Sequence, residues 1–178
     1  KIILTILKMR DASEIVWNGG TDGVWDFGET ENFTINGTNG IFVTGDAVSF
    51  NDQSNVTTIN IKEDVYPGSV VFDNSKDYTL TGDGSIVGAA TLTKKGEGNL
   101  TISNINKYTG GTKIEGGKIT ASTLADVEGS DYGALGGVDD KITLDGGTLV
   151  VPAGGRTSQT IGLGKNGGTI EANGAFTL

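Results

Sequence analysis

Cysteine and histidine are both missing from this chain. Without cysteine there is no disulfide framework, no thiol nucleophile and no thiolate-bound zinc. Without histidine a Ser-His-Asp triad and imidazole metal ligands are excluded as well. Positive charge is thin: 13 Lys and Arg face 22 Asp and Glu, for a formal net charge of −9, and the arginines are Arg10 and Arg156 alone. Nucleic-acid binding draws on clustered Lys and Arg, whereas Lys94-Lys95 is the single basic pair; nucleic acid is therefore excluded as a partner. No apolar run approaches the length needed to cross a bilayer, so the segment does not read as membrane-spanning. The short run Ile2–Leu7 reads as a leading strand or as the tail of a preceding module.

What the chain does have is glycine, 30 of 178 residues, beside much Thr, Val and Ile. There is no Gly-x-y period, so collagen is excluded. A glycine-rich acidic chain invites a disordered reading, but regular alternation of apolar and polar residues opposes it. Short strand-like runs, such as Ala47–Phe50, Val56–Ile61, Asn99–Ser103 and Thr148–Val151, are separated by Asn-Gly, Asp-Gly and Gly-Gly turn signals. An expected strand at Ile41–Thr44 belongs to the same series, while Ser122–Glu128 reads as a loop bulging from one coil.

One phrase returns: Lys113-Ile-Glu-Gly-Gly-Lys-Ile119, Thr143-Leu-Asp-Gly-Gly-Thr-Leu149 and Gly164-Lys-Asn-Gly-Gly-Thr-Ile170. Its first glycines, at 116, 146 and 167, stand 30 and 21 positions apart, near one coil plus a variable loop. That recurrence favours an all-β parallel solenoid with Gly-rich corners over a hairpin sandwich or barrel. The Thr and Ile beside each Gly-Gly should then form ladders up one face.

The residues from Leu92 to Gly136 also resemble a known family. Leu92-Thr-Lys-Lys-Gly-Glu-Gly-Asn-Leu-Thr-Ile102, Asn106-Lys-Tyr-Thr-Gly-Gly-Thr-Lys-Ile-Glu-Gly-Gly-Lys-Ile119 and Ala134-Leu-Gly136 look like the autotransporter-associated β-strand repeat, also called the passenger-associated transport repeat. The likeness covers about 45 residues, with Lys118 standing where Thr is usual. Scattered residues before it (Val16-Trp17-Asn18-Gly19, Val24-Trp25-Asp26, Gly45-Asp46 and Pro67-Gly68-Ser69) resemble the lead-in of such proteins. The resemblance implies a right-handed parallel β-helix in secreted or surface-exposed bacterial passenger proteins, mostly structural. On this reading, residues 1–13 end a preceding module or form a leading strand. Coils at 14–90 then continue into the repeat coils at 91–178 as one solenoid.

Candidate chemistry is sparse. Asp139-Asp140 with Asp145 is the best carboxylate cluster, Glu29 with Glu31 the second, and either would suit a glycosidase only if two carboxyls faced each other. A polysaccharide lyase would need Arg156 or Lys141 beside the first cluster. Asp22, Asp26, Asp46, Asp52 and Asp83 lie in Gly- and Asn-rich turns, where calcium ligands and ordinary Asx turns compete. Trp17 and Trp25, with Phe27 and Phe33, form either an aromatic platform for a glycan or a cap on the end of the stack. The reading adopted assigns no catalytic residue, metal or cofactor. It keeps Trp17 and Trp25 as candidate glycan contacts. Partners are neighbouring modules or subunits of a larger surface protein, and glycans. The segment is then a non-catalytic spacer or adhesive surface, with a carbohydrate-binding module or a β-helix polysaccharide-degrading enzyme as alternatives.

Overall fold

The structure, a computed structural model, describes residues 10–20, 22–126 and 128–178. The run Ile2–Leu7 lies outside them. Every regular element among the described residues is a strand. One sheet stacks Glu14–Trp17, Ala47–Phe50, Ser69–Asp73, Leu92–Lys95, Thr112–Ile114, Lys141–Leu144 and Thr160–Leu163 as successive parallel neighbours. A second stacks Val24–Trp25, Thr58–Ile61, Tyr78–Thr81, Asn99–Ile102, Lys118–Ala121, Thr148–Val151 and Thr169–Ala172. Shorter pairs form a third side, Val87–Gly88 with Lys107–Tyr108 and Gly155–Arg156 with Phe176–Thr177. The chain visits the sheets in turn, so it winds as a parallel β-solenoid.

The stack is held in register. Val48 pairs with Val70, Val70 with Leu92 and Leu92 with Thr112, giving coils of 22, 22 and 20 positions. Alternation then puts every second side chain inside. The recurring phrase falls at the corner between the two sheets. There Ile119, Leu149 and Ile170 form an inner ladder, while Lys118, Thr148 and Thr169 form an outer one. The anticipated ladders exist, but on opposite faces of the sheet. In the early coils the interior is aromatic: Phe50 and Phe72 stack at 4.2 Å with Tyr78 edge-on to both.

Corners must be narrow for the coils to stack. Gly96 has φ +63°, and a Cβ there would meet the Asn74 carbonyl of the coil before at 2.4 Å, so no side chain fits. Beside it, Lys94 sits at 0% exposure in the inner ladder between Phe72 and Ile114. Its ammonium donates to the Lys95 and Gly96 carbonyls, which the turn leaves without partners in the ladder. Burial holds its pKa below the ordinary lysine range.

The first coil is covered by a detour. Phe33–Ile35 runs antiparallel along the edge of Glu14–Trp17 that Ala47–Phe50 does not use, and returns as Thr38–Gly40 through Asn36-Gly37, both at positive φ. Unpaired strand edges invite further pairing, and this hairpin occupies one. Beneath it Trp17, Trp25, Phe33 and Phe42 pack at 5.1–6.1 Å as an aromatic cap. The expected strand Ile41–Thr44 is not one. Phe42 and Val43 are both buried, which a half-exposed strand forbids, and the Val43 N–H goes to Asp46 instead.

Replacing Phe72 with Ala removes the middle of the aromatic stack, and we expect a loss of about 3–5 kcal/mol. Urea unfolding followed by circular dichroism measures it.

Candidate functional site

Coil length locates the site. Thr112 pairs with Ile142, 30 positions on, although the next coil, Ile142 to Ile161, takes only 19. The additional residues form a loop between Lys118–Ala121 and Lys141–Leu144, braced by an antiparallel contact of Tyr132–Gly133 with Gly136–Gly137. Buried amides pin it from both sides. From the coil before, Asn106 donates Nδ2–H to the Ala134 carbonyl and its backbone N–H to Gly133, while its Oδ1 accepts from the Ile86 N–H. From the coil after, Gln159 accepts the Ala125 N–H and donates to the Leu135 carbonyl. Thr157 donates to the Ala125 carbonyl. Ala134 and Leu135 are wholly buried under these bonds.

The loop overhangs the flank of the first sheet and makes two adjoining clefts of about 380 and 270 Å³. Thr109, Asp139 and Asp140 line both; Lys113, Lys141 and Thr143 belong to the larger and Tyr132 to the smaller. Asp139 is exposed and has no hydrogen bond or ion pair to another described residue. Tyr132 is 42% exposed. Tyr108 lies below, wholly buried with its hydroxyl 2.7 Å from that of Thr112, and burial pushes its pKa well upward.

The anticipated acidic cluster comes apart in three dimensions. Asp140 is buried and caps the turn, its Oδ2 accepting the Gly137 N–H at 2.5 Å. Asp145 lies past the far end of the strand Lys141–Leu144, accepting from the Asn166 N–H and 3.7 Å from Lys113. Lys141 lines the same cleft as Asp139, but Arg156 is engaged by Asp126 and Glu128. The pair Glu29 and Glu31 is no closer to a glycosidase site, for Glu29 is bound to Lys62 at 2.8 Å.

Trp17 and Trp25 require a correction as glycan contacts. Both are at 0% exposure, and the Trp17 indole N–H is spent on the Val56 carbonyl. A ring with no open face has nothing to offer a sugar. Four of the five calcium candidates are similarly occupied, while Asp83 is exposed at its turn. Asp46 holds Arg10 and the Ser13 and Val43 amides, Asp26 holds Thr30, and Asp22 holds Asn32 and the Val24 amide. Asp52 accepts from Ser75 and Lys76 of the next coil. Among the described residues no group of three or more acidic side chains is placed to hold a metal ion.

Tyr132, Thr109 and Lys113 went unnoticed in the sequence as site residues. The available signal was the 30-position gap between copies of the phrase against 21 for the next. An isolated Tyr beside Asp and Gly carries no periodicity of its own.

With seven in-register rungs in its first sheet, the chain is a repeat protein of the parallel β-solenoid class. The passenger-associated transport repeat family matches it over residues 92–121. It is also similar to the adhesin BmaC autotransporter of Brucella suis biovar 1 (strain 1330), with 33% identity over 141 residues. That match covers 79% of this chain and 4% of the relative's length. No solved structure matches the chain. Both matches support the autotransporter repeat family for this chain.

Replacing Asn106 with Ala strands the Ile86 N–H and the Ala134 carbonyl, each at a cost of about 1–3 kcal/mol. Amide exchange at residues 133–137 should quicken more than exchange in the sheets. Asp52 supplies a pH dependence. The N–H groups of Lys76 and Ser75 hold its carboxyl below the ordinary 3.8. A carboxyl depressed by folding stabilises the fold above its unfolded value and loses that contribution as pH falls through the folded one. Melting temperature should therefore drop below pH 3.8, and less so in Asp52→Asn.

Proposed function

We propose that this segment is a non-catalytic stack of coils in the passenger of a bacterial secreted or cell-surface protein. It acts there as a rigid spacer that also offers its flanks for contact with other molecules. The observation that carries the reading is the unbroken register of the first sheet, from Ile15 through Val48, Val70, Leu92, Thr112 and Ile142 to Ile161. A coil by itself buries little; each one added gains a ladder of backbone hydrogen bonds and an apolar layer. Such a structure gains length coil by coil without changing its cross-section.

Two further points support it. The matched relative is named an adhesin, which suits a surface role for a segment of this kind. Of the carboxylates that an enzyme would need, Asp140, Asp145 and Glu29 are spent on turns and ion pairs. This chain spans only 4% of that relative's length. Its partners, neighbouring coils of a longer chain or other subunits, are accordingly part of the proposal, as is a place outside the cell.

Coil duplication tests the spacer reading. Repeating residues 70–91, one coil by register, stacks Phe72 on its own copy much as Phe50 already stacks on it. Three added copies should lengthen the particle in solution scattering by about 14 Å, near 4.8 Å per coil, with cooperative melting retained. A misfolded product or an unchanged length would count against a solenoid spacer. Cleavage of polysaccharide by the segment would overturn the non-catalytic role.

A further inference from the structure

We propose that the double cleft under the loop at 122–140 binds a neutral oligosaccharide. This goes beyond the spacer reading and does not depend on it, since a spacer needs no cleft.

Four observations converge. The wall of the cleft is preformed. Asn106, at 0% exposure, and Gln159, at 3%, fasten the loop to the coils on either side, so little ordering remains to be done when a ligand arrives. The two clefts lie side by side along the flank, with Thr109, Asp139 and Asp140 bordering both, and together their volumes suit a ligand longer than one sugar ring. One wall is aromatic: Tyr132 is 42% exposed at the cleft and lies close over Gly137, where a Cβ would come within 3.3 Å of the ring. An aromatic face carries negative quadrupole density, which the C–H face of a pyranose complements. The polar lining is mixed in sign and in hydrogen-bonding type. Asp139 offers only acceptors and Lys141 only donors; the Thr143 hydroxyl can do either, while those of Thr91 and Thr109, which donate to the Gly110 and Gly88 carbonyls, keep lone pairs free to accept. Sugar hydroxyls donate and accept at once, and this lining satisfies both.

Charge selects a neutral ligand over an anionic one. Of the two lysines at the larger cleft, Lys113 is bound by Glu115 at 2.5 Å and faces Asp145 at 3.7 Å. Asp131, Asp139 and Asp140 remain along the cleft in a chain of net charge −9. A sulfated or phosphorylated polymer would meet repulsion there.

The test is a panel of neutral oligosaccharides: maltohexaose, cellohexaose, chitohexaose and an array of neutral host-type glycans. Each is offered to the whole chain and read by saturation-transfer NMR and calorimetry. At least one should bind with a dissociation constant of about 10 μM to 1 mM, and Tyr132→Ala should weaken it about tenfold or more. Asp139→Asn should weaken it several-fold, and Phe27→Ala, at an exposed aromatic outside the clefts, should not. Melting curves confirm that each variant is folded, and Asp139→Asn keeps the test decisive where Tyr132→Ala disturbs the loop. Absence of binding across the panel overturns the proposal. Binding that survives both cleft variants, is lost in Phe27→Ala, or is confined to sulfated sugars overturns it too.

Discussion

Everything in this molecule depends on the parallel ladder that joins each coil to the next. Its spacing of about 4.8 Å leaves no freedom at the corners. Where one coil turns, the next must turn directly above it, backbone on backbone. Gly96 lies against the Asn74 carbonyl, and Gly117 in its turn would place a Cβ 2.5 Å from the Gly96 carbonyl. The glycines of the repeat are therefore a column through the stack. They satisfy a steric requirement that recurs at each level, and no phosphate or active site is needed to explain them.

The same ladder explains the polar residues of the repeat. A corner removes backbone groups from the sheets, and a buried group without a partner is costly. Lys94 answers carbonyls at one corner. Asn104 answers Gly84 and Asn106, and Asn106 answers Ile86 and Ala134 across two coils. Tyr108 and Thr112 satisfy each other in the interior. In the lysine's case, burial disfavours the charge while two carbonyls and the acidic side chains of neighbouring corners favour it; burial wins. Those positions look like surface residues in a linear sequence, and they are interior.

That explains what could and could not be read from the sequence. The recurring phrase and the alternation in strands such as Thr58–Ile61 and Asn99–Ile102 revealed stacking, because a solenoid repeats the same environment at each level. Two-residue strands such as Val87–Gly88 and Gly155–Arg156 were invisible, since two residues carry no period. The aromatic residues misled as recognition sites for a related reason. Composition cannot tell whether a Trp faces out or in, and Trp17 and Trp25 point into a first coil that has no repeat to fill it. The loop around Tyr132 was visible only as an excess of length. Its geometry is set by Asn106 and Gln159, which are remote in sequence.

A solenoid separates what holds it together from what it can display. Closing a loop becomes dearer only with the logarithm of its length, by about 0.6 kcal/mol per doubling. Between Asn99–Ile102 and Thr112–Ile114 the chain crosses in 9 residues, and between Lys118–Ala121 and Lys141–Leu144 in 19. That lengthening is a single doubling, comparable to one ordinary hydrogen bond, and the loop makes several with Asn106, Gln159 and Thr157. The stack can therefore accommodate a large excursion at a corner without loss of register, and Thr112 still meets Ile142 in line. Excursions are weakly constrained by stability while ladder positions are strongly constrained. Differences in surface chemistry along such a chain should accordingly collect in its longest coils, where this one carries its clefts.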